Sequence, residues 1–275
     1  MASKLPIEHL SFSALMCFMR NKYEFKRVYI DKKYRDTQTP ALVVGKAFHK
    51  CMEMYYKGHS KEQSLEIGFH YIHDVENTID FGKTGSVEKV LEDYRQTVDH
   101  YFKDGEQFVK KEHVVASERS MKGSVDGIVV PVKAVADLVL KTPELKIVDF
   151  KKVTSLSDLS EPVKPEYLIQ AAFNFWAAST ELGEQPTEML YLEVKTSKNR
   201  DKDEPQCQVV VIDFRSDTMK QYIEAVKSMT GSVLLLLSAF AQGDFADSLF
   251  LPNVSDMLSG PESWAEWLEE KTKKA

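Results

Sequence analysis

Two strand-like runs near the middle of the chain, VKAVADLVLK (132–141) and LKIVDFKK (145–152), each carry one aspartate among β-branched and apolar residues. An isolated carboxylate in a core costs several kcal/mol unless something compensates it, so these runs cannot be ordinary core strands. The stretch between Asp137 and Asp149 leaves room for a turn, which places both near the ends of neighbouring strands. Asp149 and Lys151 stand two apart and project from one strand face. Two oxygen ligands and an ammonium then converge. A hard divalent cation takes such ligands, and a nearby lysine can orient or deprotonate a water, a combination suited to metal-assisted hydrolysis of a phosphodiester. The plain alternative is a surface salt bridge at a strand end, a common use of an Asp-x-Lys triplet.

The rest of the chain sets the frame. Its 275 residues, 43% hydrophobic, suffice for one large core, and the net charge of −6 gives no global attraction to nucleic acid, so phosphate binding needs a local basic patch. Cys17, Cys51 and Cys207 are scattered and form no disulfide framework or paired metal motif, which fits a reducing compartment. The N-terminus lacks a basic region followed by a long apolar run, and VLLLLSAF (233–240) is too short to span a bilayer. The expectation is a protein without a membrane partner, in a bacterial or phage-infected cytoplasm or an organellar matrix.

Ser11 is placed to cap a helix through FSALMCFMRNKYEFKRVYI, with Leu15, Phe18 and Phe25 inward. A second helix is predicted after Gly45 and a third through SVEKVLEDYRQTVDHYFKDG. Strand character appears at 112–118, 128–140 and 145–150. A helix opening near Pro165 follows, then a hairpin from EMLYLEVKT and CQVVVIDFR, then helix over 216–242. This order predicts one α/β (α+β) domain over 1–275. Residues 1–105 form a helical N-terminal elaboration, 106–215 a mixed sheet core flanked by helices, and 216–275 C-terminal helices.

Three further motifs share an order with the two aspartate strands. SFSALMCFMRNKYEF, GKAFHKCME, the Asp137 strand, the Asp149-Phe150-Lys151 strand and YLIQAAFNFWA together resemble the PD-(D/E)xK nuclease superfamily, in its RecB-like, Cas4-like exonuclease branch. The resemblance implies a restriction-endonuclease-like core and a Mg²⁺- or Mn²⁺-dependent deoxyribonuclease. It further implies that His49, Asp137, Asp149 and the Phe150 carbonyl hold the metal and that Lys151 is the catalytic lysine. Gln170 would sit by the scissile phosphate, with Tyr167 on the same wall. On residue type alone, His49 reads more often as a helix histidine satisfied by local contacts than as a ligand. Asp126, in SVDGIV, competes for the role of first carboxylate, although VDG reads as a turn. The chain departs from the branch at Ala134, where glycine is usual, and at Asn174, where tyrosine is frequent four residues after the glutamine.

Some relatives carry an iron–sulfur cluster on one N-terminal and three C-terminal cysteines. Here Asn21 and Lys22 occupy the first place and FLPNVSDMLSGPESWAEW has no cysteine, so no iron–sulfur cluster is expected. DNA contacts are expected from Arg20, Lys22, Lys26 and Arg27 in the basic, aromatic stretch 20–35, and secondarily from Lys195, Lys198, Arg200 and Lys202. The expected activity is an exonuclease on single-stranded DNA or strand ends in recombination, repair or phage DNA metabolism. The chain lacks a helicase motif, so unwinding would require a helicase or recombination partner. A structure-specific or nicking endonuclease, and a non-catalytic nucleic-acid-binding module, are the alternatives on the same fold.

Overall fold

The first helix starts where its cap demands. Ser11 Oγ accepts from the Ala14 amide at 3.2 Å, and α1 (Phe12–Arg20) follows directly from the two-residue strand β1 (Leu10–Ser11). In this computed structural model, which describes residues 5–82, 85–197, 204–243, 249–252 and 269, the single helix predicted for 12–30 is broken at Asn21. Asn21 adopts extended backbone and caps a new short helix, α2 (Lys22–Phe25), by accepting from the Glu24 amide, and a π-helical turn over Lys26–Ile30 closes the segment. Leu15, Phe18 and Phe25 are buried, as their spacing predicts.

The next helix begins earlier than Gly45. Thr39 caps it and Pro40 takes its first position, giving α3 (Pro40–Tyr56) with Gly45 inside. A helix not separately predicted, α4 (Lys61–Val75), opens on a full capping box between Ser60 and Gln63, and α5 (Val87–His100) follows. The strands are β2 (Val114–Gly123), β3 (Val132–Lys141) and β4 (Leu145–Val153). Then come α6 (Pro165–Glu181), β5 (Glu188–Lys195), β6 (Cys207–Asp213) and α7 (Asp217–Gln242).

These strands form a mixed six-stranded sheet in the order β1-β3-β4-β5-β6, with β2 on the opposite edge of β3. The predicted hairpin is the antiparallel β5–β6 pair, whereas β4 and β5 run parallel through the α6 crossover. One sheet face packs Leu138, Leu140, Val148 and Phe150 against α3, α4 and α5. The other packs Ala136, Val139 and Ile147 against α1, α6 and α7. Helices α3, α4 and α5 therefore cover one face of the sheet. At 26 residues α7 is long and apolar enough to cross a membrane by length and composition. Its apolar side, including Met219, Val226, Val233 and Leu237, is part of the core.

Two features of β2 and β3 position the site. Gly123, at the end of β2, lets the α6 backbone come close: a Cβ there would lie 2.4 Å from the Trp176 carbonyl oxygen. On the other edge of β3, β1 pairs only with Val132 and Lys133 and β4 only with Leu138 to Lys141. Residues 134–137 have no strand partner between them, and Asp137 stands at that opening.

Candidate active site

The β3–β4 ladder stops at Leu138 and Val148, so both aspartates lie just past its last pair. There the Phe150 amide donates to Asp137 Oδ2 at 2.6 Å, the side chain replacing a ladder acceptor. Asp137 and Asp149 are 7% and 5% exposed, which establishes that they are not a surface pair. Helix α3 docks through Val44, Phe48, Cys51 and Met52 and holds His49 over the strands, its Nδ1 3.1 Å from Asp137 Oδ1. The Phe150 ring packs edge-on against Phe48 and Tyr101, fixing the peptide beside Asp149.

Lys151 and Gln170 complete the arrangement. Gln170, on α6, donates through Nε2 to Asp149 Oδ1 at 2.6 Å and accepts from Lys151 Nζ at 2.9 Å. Lys151 Nζ also lies 2.6 Å from Asp149 Oδ2, an ion pair that gives this buried oxygen its partner. Tyr167 stands behind this group. Its hydroxyl donates to Glu193 at 2.7 Å and its ring stacks on Tyr191, over which the Lys151 ammonium sits at 5.5 Å.

Glu118 is the residue that sequence reading missed. Ser117 pairs with Leu138 and Arg119 with Ala136, so Glu118 lies across from Asp137, and its backbone takes a left-handed φ of 48°. That conformation is costly for a non-glycine residue and is typically retained at functional positions. Glu118 Oε1 is 4.0 Å from His49 Nδ1, and His49, Glu118 and Asp137 offer ligand atoms that all lie within 4.8 Å of one another. A glutamate in a strand-like run was the available signal, but only the β2–β3 register shows what it faces. Asp126, the competing carboxylate, is exposed in a turn.

The electrostatics are those of a site short of positive charge. Burial, with Asp137 beside it, pushes Asp149 above the usual carboxylate range against the pull of Lys151. Burial and Asp137 raise Glu118 to about 7, with His49 opposing. Burial alone would lower His49, but the charge and hydrogen bond of Asp137, with Asp149 and Glu118, raise it to about 9. Protons are thus held where a cation would otherwise sit. Three carboxylates and an imidazole, with the ligand atoms of His49, Glu118 and Asp137 gathered together, fit a hard or borderline divalent ion. A cleft of about 610 Å³, lined by Gly45, His49, Glu53, Glu118 and Lys151 among others, gives access.

The basic residues of the N-terminal stretch lie elsewhere than this cleft lining. Lys26 pairs with Asp31 at 2.7 Å and Arg27 forks onto Glu24 at 2.9 and 2.6 Å. Lys22 sits 5.8 Å from the Phe18 ring centre, and Arg20 is exposed. Lys195 is buried at the end of β5, and Lys198, Arg200 and Lys202 lie outside the described residues. Cys17, Cys51 and Cys207 stand on α1, α3 and β6, all as free thiols. Residues 253–268 also lie outside the described residues.

Comparison with known proteins bears on the fold and the family. A crystal structure of a protein from Eubacterium rectale described as a "putative exonuclease" superposes with a TM-score of 0.57 at 17% identity, over 86% of this chain and 82% of its own, which shows a shared fold. The solved structure of SSO0001 aligns at 14% identity over 80% of this chain and 85% of its own, with a TM-score of 0.31, and carries no weight. No curated protein matches in sequence. The family model of the PD-(D/E)XK nuclease superfamily matches residues 9–251, most of the chain, and the chain belongs to that superfamily.

Proposed function

We propose that the protein is a divalent-metal-dependent DNA exonuclease of the RecB-like branch, acting on single-stranded DNA or at strand ends. The observation that carries this reading is the linked set Asp149–Gln170–Lys151 standing beside Asp137 and His49. His49, Asp137, Asp149 and the Phe150 carbonyl would hold the ion, with Glu118 as a further oxygen donor. Mg²⁺ suits the oxygens, and the imidazole makes Mn²⁺ an equal candidate. When bound, the ion supplies Lewis-acid stabilisation of the charge that develops on the phosphoryl oxygens.

The chain's own groups do the rest. Gln170 ties Lys151 to Asp149, so the ammonium is held at one point of the cleft instead of sampling its rotamers. From there Lys151 hydrogen-bonds the attacking water and the scissile phosphate. Asp137 fixes the Phe150 peptide and the His49 ring at once. Arg20, Lys22, Lys26 and Arg27 are proposed as outer strand contacts, and phosphate must displace Asp31 or Glu24 to reach the last two. Unwinding would come from a separate helicase or recombination protein, in a bacterial or phage-infected cytoplasm or an organellar matrix.

Digestion of end-labelled single- and double-stranded DNA beside covalently closed circles, with Mg²⁺, Mn²⁺ or chelator, tests the proposal. Linear substrates should shorten from their ends only with metal. Circles cut as fast as linear strands would remove the exonuclease mode. Full activity in Asp149→Asn would remove the metal site.

A further inference from the structure

The open edge of β3 between β1 and β4 forms a second cavity of about 290 Å³, lined by His9, Ser11, Ser13, Lys133, Gln170 and Asn174 among others. It joins the active site through Gln170, whose amide reaches Asp149 and Lys151. No carboxylate lines it among the described residues. Lys122 on β2 lies directly opposite Lys133 on β3, and Ser11 on β1 pairs with Lys133 from the other side, so the three side chains form a row on one face. Like charges opposed across strands destabilise a sheet. Neither lysine has an acidic partner among the described residues. Burial first, and then Lys133, Lys122 and Lys32, hold the His9 imidazole below its ordinary value, which shows how closely the positive charge is gathered.

Two more donors and one acceptor define what would satisfy it. Ser11 caps α1 by taking the Ala14 amide, so the Phe12 and Ser13 amides of the first turn have no intrahelical acceptor. Asn174, 2% exposed, donates its side-chain nitrogen to the Gln170 carbonyl at 3.2 Å, while its carboxamide oxygen has no donor at all. A fully deprotonated anion satisfies the lysines and the helix end but cannot donate to Asn174, and free phosphate can do so only through its own O–H. A nucleotide unit does both, offering a phosphate together with an N–H or O–H of its base or sugar.

We propose that this cavity binds a second phosphate of the DNA strand, with the attached nucleoside donating to Asn174, and so sets the strand's position across Asp149 and Lys151. The inference rests on the nuclease reading and names where its substrate is held. Lys133, on the cavity wall, grips the phosphate, Lys122 adds its charge from the next strand, and the Ser13 amide and hydroxyl close over it.

Equilibrium binding of single-stranded oligonucleotides in chelator, which prevents cleavage, tests it. Each oligonucleotide carries one neutral methylphosphonate at a successive linkage. The parent protein should lose about tenfold or more in affinity at one linkage. In Lys133→Gln the penalty at that linkage should shrink several-fold, and in Lys122→Gln by less, with penalties elsewhere unchanged and the salt slope reduced by up to about 0.7. Ser13→Asp separates binding from folding. A carboxylate in the first turn favours the helix, so melting should hold or rise while DNA binding weakens. An identical linkage profile in the parent and both lysine variants would overturn the inference, as would Ser13→Asp that binds normally. Inorganic phosphate competing as well as the oligonucleotide would reassign the cavity to a free anion. A folded parent that binds no DNA would instead overturn the nuclease reading itself.

Discussion

Two buried carboxylates on adjacent parallel strands meet opposite fates. Glu193 on β5 is fully buried and lies in register with Lys151 on β4. It accepts from the Ser157 amide and hydroxyl, the Tyr167 hydroxyl, Gln208 Nε2 and Lys164 Nζ, at 2.5 to 3.3 Å. Burial would raise its pKa, but those bonds, led by Ser157, hold it below the usual carboxylate range. Asp149, 5% exposed, has one aligned donor, the Gln170 amide, with Lys151 in contact and Asp137 repelling it, and its pKa is raised. Burial is common to both, and the donor shell separates them. A carboxylate whose shell the protein fills is structural, and one left short of donors in a cleft is a candidate functional group.

That contrast can be broken by substitution. The largest effect should be on cleavage: Asp149→Asn and Lys151→Ala should each lose about 10³-fold in rate. Calorimetric titration should separate them, with metal affinity lost in the first and retained in the second. Unchanged affinity in Asp149→Asn would sink the ligand assignment. Next in size is stability. Glu193→Ala strands its donors, and we predict a loss of about 3–5 kcal/mol in urea unfolding with chelator. Asp149→Asn under the same conditions should be neutral or stabilising, because it removes a repelled charge. Similar losses in both variants would erase the distinction.

A smaller effect is on pH. Glu118 has an ordinary value of 4.5 and sits at about 7 when folded, and His49 moves from 6.5 to about 9. Both groups bind more protons folded than unfolded within those windows, so the stability they contribute falls as pH rises. The metal-free melting temperature should therefore decline from about pH 5 to 9, and divalent metal, which needs the deprotonated ligands, should restore most at the alkaline end. A flat metal-free profile would show that Glu118 and His49 do not feel the neighbouring carboxylates. The smallest effect should come from the paired basic residues. With Asp31 and Glu24 already engaged, Lys26→Gln and Arg27→Gln should each lower the salt slope of single-strand binding by less than about 0.7, and Lys22→Gln by more than either. Equal slopes in all three would mean that those ion pairs open freely to DNA.

Much of the fold was legible because its signals are local. Ser11, Pro165 and the alternating runs at 132–152 and 188–213 state helix starts and strands within a few residues, and the order of short motifs pointed to the superfamily. The break at Asn21 was harder to see, because the same amide can face outward in a continuous helix or turn back and cap a new one. Asp137, Asp149 and Lys151 stood out because charges in apolar runs need an explanation that sequence can pose. The structure answered it by closing His49 and Gln170, from two different helices, around them. Glu118 and Glu193 read in sequence as two similar strand glutamates. Strand register and the donors brought by distant loops decided that one faces Asp137 with too little positive charge and the other is fully bonded. Propensity and capping act over a few bonds and are written in the chain. Whether a buried charge is satisfied depends on partners that only the pairing of strands and docking of helices bring within about 3 Å.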